Sequence, residues 1–530
     1  MRVLLLLLIA LAAAKSYAED EIRHYFEALN SGYNLPVHGD HLISTRELKE
    51  FYQKRNYQPI WYSGGRLVRS ATELYLIVET SGLDGLQPED YHNRALQQSC
   101  PAEQRDGLAY CDLLFTDAFF LLAQHLMVGK VNPETLTPGW NPPQRQPNLV
   151  RLLETALSED TVKATLESLR PKMLDYDRLM ASLRRLRAAT RYPEWNQLEL
   201  SPAIESEAQD PRLAAVIERL VYWGDMERPA TPIEVYDESV QQAIRRFQGR
   251  HGLPSDGVIG AGTLEELNVD PMRRVLQIMA NMERWRWLDQ DLGPTYLMVN
   301  IAEAELEAVK NTQHAFVKPI DVSQRHRNSP LFSDRLRYLV LNPGWAIPRP
   351  LAREAFLPVL RKNPDFLASA GLSIFSGTTV VSPESIVWSG LAPANFDYRL
   401  VQSPGPRNAL GQVVFMLPNP HHVYLHGEPT EDIFSNAGFD AGSIRVEKPL
   451  ELAAWLLEGN VGAGGRVTTM LNQGSPATAY LPEPIPVHIT YRTAWVNSQG
   501  VLNFRKDVYQ RDRPLYEALI QPLPLATAER

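Results

Sequence analysis

The stretch that decides the reading is His421–Arg445, HHVYLHGEPTEDIFSNAGFDAGSIR. It opens as a strand, because Val423 and Leu425 alternate with Tyr424 and His426 in the period of two of a half-buried strand. Gly427 and Pro429 break the pattern and leave His426 where strand passes into loop, a place that presents an imidazole. The stretch closes on Asp440-Ala441-Gly442-Ser443-Ile444-Arg445. Gly442 allows a tight turn with amides free to face a ligand, and Ser443 puts a hydroxyl beside them. A histidine, a nucleophile-type residue after glycine and a following arginine make an acyl-transfer constellation.

Tyr424-Leu425-His426 with Gly442-x-Ile444-Arg445 resembles the end of the active site of the L,D-transpeptidases, in particular the large, YcbB-like members. Their pattern runs Tyr-Leu-His, a spacer, then Ser-(His or Ser)-Gly-Cys-(Ile or Val)-Arg. The approach through Pro404–Gly411 and Phe415–Asn419 is similar as well. The departure falls on the nucleophile: Ser443 stands at the family's Cys, and Asp440 and Ala441 replace the two residues before Gly442. The resemblance implies His426 as base, Ser443 at the nucleophile position, and Gly442 and Arg445 as oxyanion or substrate-binding groups. It implies no cofactor, and as substrate a wall tetrapeptide cut between diaminopimelate and the terminal D-Ala.

At 530 residues and 44% hydrophobic content the chain can bury more than one core. A net charge of −9 argues against a general nucleic-acid binder, which needs a basic face. Residues 1–18 read as a signal peptide: Arg2 is the positive start, Leu4–Ala14 the apolar run, and Ser16-Tyr17-Ala18 the cleavage site. No later stretch is expected to reach transmembrane length. Export to the periplasm follows, and with it an oxidising compartment for Cys100 and Cys111. The two are disulfide candidates, with a pair of free or buried thiols as the alternative. No metal site is expected, since neither the cysteines nor His421 and His422 have companions at ligand spacing.

The fold class is α+β. Residues 19–204 read as mostly helical, with helical spacing in Glu47–Tyr52, Ala71–Leu76 and Leu113–Leu126, and Phe51–Trp61 and Leu114–Phe119 resemble the helical scaffold domain of the same family. No chemistry is apparent there. Residues 212–269 resemble the peptidoglycan-binding-domain-1 module, a small three-helix unit, in Phe247-Gln248 and Asp256-Gly257-Val258-Ile259-Gly260. Residues 275–515 resemble the mainly β catalytic domain of the family, with a lid inserted at about 345–403. On its leading helix the indoles of Trp285 and Trp287 are expected to pack, with Arg284 and Arg286 outward. Leu351–Leu360 reads as a helix broken by Pro358.

Three functions fit. The first is an exported, wall-associated protein that binds peptidoglycan and is catalytically impaired, a pseudoenzyme. The second is a Ser-dependent L,D-transpeptidase or carboxypeptidase on tetrapeptide stems. The third is a scaffold that recruits cell-wall synthesis proteins. Whether the chain is an enzyme turns on Ser443, because an alcohol needs a stronger base than a thiol does.

Overall fold

The computed structural model describes residues 17–33, 35–101, 107–136, 145–188, 195–311, 313–322, 331–419, 423–431, 444–457 and 463–524. They gather into two compact units, Met1–Asp291 with Arg492–Arg530, and Leu292–Tyr491.

The first unit is helical and built around Leu108–Val128, in which every residue from Cys111 to Ala123 is buried. A helix apolar on all sides belongs in an interior. By length and hydropathy it would also qualify to cross a membrane, which corrects the expectation that no later stretch reaches that length. Its two carboxylates account for its place in a protein core. Asp112 accepts from the Tyr52 hydroxyl at 2.6 Å and from the amides of Ile60 and Trp61. Asp117 accepts from the amides of Ile43 and Ser44 and bonds the His92 ring. Buried carboxylates need such donors. Cys100 and Cys111 are bridged, which ties the end of helix Asn93–Ser99 to the first turn of the central helix.

Within the same unit, Leu213–Trp223, Glu238–Arg250 and Ala261–Leu267 form three short helices. Asp237 caps the second by accepting from the Val240 amide. Phe247 is fully buried, and next to it the Gln248 amide donates to Asp256, Val258 and Thr263 and accepts from Gly257. Gly257 sits at φ +79°, where a side chain would be strained and would strike Gln241.

Helix Pro271–Arg286 starts on Asp270, which accepts from the Met272 amide. The outward placing of its arginines is corrected. Arg284 and Arg286 are both buried, Arg284 against Asp512 and Arg286 against Glu283, the Asp84 carbonyl and the Tyr176 hydroxyl. A guanidinium enters a core only when its donors are met, and here each has a carboxylate. The helix and the residues after Tyr491 pack in the first unit.

The second unit is a closed barrel of eight strands. They are β1 (Tyr296–Asn300), β2 (Glu305–Lys310), β3 (Gln313–Val322), β4 (Phe332–Leu341), β5 (Val413–Met416), β6 (Leu425–His426), β7 (Ile444–Val446) and β8 (Ala477–Thr490). Around the barrel the order is β5-β6-β7-β3-β2-β1-β8-β4. The pairs β6–β7 and β1–β8 are parallel. Between β4 and β5 comes the insert, a four-stranded sheet of Trp345–Ala346, Arg399–Gln402, Leu372–Ser376 and Thr379–Val381. It has its own core, with Trp345, Phe356, Leu360 and Leu400 at its centre and Val414 of β5 included. The helix within it is not broken at Pro358: Ala352–Phe356 is a π segment that runs straight into Leu357–Leu360. Such a widened turn absorbs a position that lacks an N–H.

Candidate active site

His426 ends β6, with Val414 of β5 opposite on one side and Arg445 of β7 on the other. Its side chain is almost wholly buried. Nδ1 lies 2.8 Å from the Gly427 carbonyl, and since a carbonyl only accepts, this nitrogen carries the proton. In the neutral ring Nε2 is then the basic nitrogen. Burial lowers the imidazole pKa to about 4; the Gly427 carbonyl opposes that shift, and the charge of Arg445 adds to it. Gly427 itself is required, because a Cβ there would meet Pro449 at 2.9 Å.

The chain around this strand is held by buried amides that the sequence reading passed over. Gln402, the last residue of the insert's sheet, donates to the carbonyls of Ala370 and Arg407 and accepts from the Ala409 amide. Asn408 donates to Pro343 and Ser403 and accepts from the Leu410 amide. Gly411, at φ +64°, lies so close to Glu428 that a Cβ would fall 2.6 Å from its carbonyl oxygen. The turn Pro404–Gly411 is thus fixed against the residues that follow His426. Asn419 donates to the carbonyls of Leu417 and Val423 and accepts from the Val423 amide. Among these amides only Asn419, set between Pro418 and Pro420, carried a sequence signal.

Of the expected site residues, His426 and Arg445 are brought side by side on parallel strands. Arg445 is half-buried and faces Asp321 of β3 in register. Gly442 and Ser443, with Asp440, Ala441, His421 and His422, lie outside the described residues. Ile444, the next residue after Ser443, starts β7 and donates its amide to the Tyr424 carbonyl. Among the described residues the one His, Cys and carboxylate set close enough for a metal is His38, Cys100 and Cys111, and its sulfurs are joined in the disulfide.

Comparison with known proteins gives three family matches in order along the chain. Residues 46–183 match a scaffold domain, residues 209–267 a "Putative peptidoglycan binding domain", and residues 294–469 an L,D-transpeptidase catalytic domain. A "Putative L,D-transpeptidase" from Haemophilus influenzae is 30% identical over 222 residues, 41% of this chain and 45% of that protein. The match therefore spans under half the length of that relative. The crystal structure of an L,D-transpeptidase (residues 123–326) from Xylanimonas cellulosilytica covers 55% of this chain and 100% of its own, at 11% identity and a TM-score of 0.15, too low to bear on the fold. With scaffold, peptidoglycan-binding and L,D-transpeptidase catalytic domains matched in series, the chain is similar in its make-up to the large, YcbB-like L,D-transpeptidases.

Proposed function

We propose that the protein is an exported, periplasmic member of this family that binds peptidoglycan and has lost most transpeptidase activity through Ser443. In this reading 19–204 form the scaffold, 212–269 hold the wall, and 275–515 carry the altered transferase. The observation that carries it is the weakly basic, buried His426, in a chain whose sequence puts Ser443 where the family has its Cys. An imidazole held near 4 already falls about four to five pKa units below an ordinary thiol near 8.5, at about 1.4 kcal/mol per unit. A serine hydroxyl is far less acidic again, so the same base meets a much larger proton-transfer barrier. Wall binding and an altered transferase then sit on one chain.

The second reading, a Ser-dependent transpeptidase or carboxypeptidase, is favoured by the tautomer of His426. The Gly427 carbonyl holds the proton on Nδ1 and leaves Nε2 as the acceptor a hydroxyl nucleophile requires. Incubation with disaccharide tetrapeptide separates the two. The first expects sacculus binding without D-Ala release; release of D-Ala, with or without cross-linked product, would replace it with the second.

A further inference from the structure

A cavity of about 440 Å³ opens in the helical unit that the sequence reading left without chemistry. Its walls are the start of helix Thr45–Lys54, the turn after Leu108–Val128, the segment 145–149, and the end of helix Pro271–Arg286. Four cations line it, Arg46, Lys130, Arg145 and Arg286; the one carboxylate in the lining is Glu47, and outside the lining the charge of Asp289 also acts on Arg145.

The cations differ in what they have left to give. Lys130 donates to Asp90 and to the carbonyls of Leu519 and Gln521, which uses its three protons. Arg286 is taken up by Glu283, Asp84 and Tyr176. Arg46 is exposed at the rim and bonds Glu47. Arg145 gives Nη2 to the Leu288 carbonyl, while its Nη1 is buried with no hydrogen-bond partner among the described residues. A guanidinium keeps its proton, so this donor cannot be relieved by deprotonation. Leaving a charged donor buried and unmet is costly, and an anionic acceptor removes the cost.

We propose that the cavity binds the carboxylate end of a small ligand, with Arg145 Nη1 as the donor that recognises it. The volume suits a molecule of dipeptide size. A carboxylate fits better than a phosphate for two reasons. Arg145 has one nitrogen already committed, and Glu47 in the wall repels a second negative charge. The site is separate from the acyl-transfer residues and stands whether or not Ser443 is competent.

The test is calorimetric titration of the full mature chain with N-acetyl-alanyl-alanine, its C-terminal amide, and inorganic phosphate. The acid is expected to bind, and both the amide and phosphate to bind about tenfold or more weakly. Arg145→Gln is expected to weaken the acid by about tenfold or more while leaving the amide unchanged. Hydrogen exchange on the unmodified protein gives an independent reading: saturating acid should protect residues 129–133 and 145–149. Equal binding of acid and amide, tighter binding of phosphate, no binding at millimolar acid, or protection confined to other segments would each overturn the proposal.

Discussion

His426 and Gly427 are bonded side chain to backbone between consecutive residues, imidazole Nδ1 to carbonyl oxygen, at 2.8 Å. So short a link holds the ring in one tautomer without help from any distant residue. It makes the basic face of the imidazole a property of the strand end itself.

The ring should therefore stay neutral well below its ordinary range. Its pKa is about 4 in the folded chain against about 6.5 when exposed, lowered first by burial. Between those values the unfolded chain takes up a proton that the folded site refuses, so stability is present above pH 6.5 and is lost as pH falls towards 4. His488, also held to about 4, acts in the same direction. An NMR titration should show no charging of His426 above pH 5; a midpoint near 6.5 would contradict the buried setting.

His92 should show the opposite sign. Burial alone would lower its pKa, but hydrogen bonds to Asp117 and Asp40 raise it to about 9. Its contribution is full below about pH 6.5 and is lost as pH rises through 9. Melting temperatures from pH 7 to 10 should fall for the parent. In His92→Gln that slope should flatten, at a cost of about 3 kcal/mol at pH 7 from leaving Asp117 without its cation.

The Cys100–Cys111 bridge predicts a thiol count. Unfolded without reductant, the mature protein should react with no thiol reagent, and after reduction with two equivalents. Closing so short a loop is worth about 3 kcal/mol, and Cys100→Ser with Cys111→Ser should lose about that much. Reactive thiols before reduction would rule the bridge out in solution.

Ser443→Cys should raise acyl-transfer activity and labelling by carbapenem-type acyl donors above the parent chain. A thiol is far more acidic than an alcohol, so the same imidazole meets a smaller proton-transfer barrier. Adding His426→Ala should abolish that labelling. A parent chain that already labels at Ser443 and turns over tetrapeptide would instead establish the serine enzyme.

Much of this was legible in the sequence where the signal is local. The alternation that ends at His426, and the Gln248 and Asp256-Gly257 pairing of the three-helix module, lie within a few residues of what they organise. Arg284 and Arg286 were misplaced because charge on a helix reads as solvent-facing. The carboxylate that admits Arg284 belongs to Asp512, far along the chain. The burial of Asp112 and Asp117 on the central helix is hidden in the sequence for a related reason. Asp112 and Asp117 look like a polar face until the loops that supply their donors are folded against them. Gln402 and Asn408 carry no pattern at all, since their partners are backbone groups brought near by the turn.

Val414 is both the register partner of His426 and a member of the insert's core. The insert and the imidazole therefore share one supporting side of the barrel. A substitution remote from the site, at Phe356 or Leu400, can shift the strand on which His426 leans without touching any reacting group. Relatives with differently packed inserts can thus inherit an identical set of site residues and still differ in how firmly the base is seated.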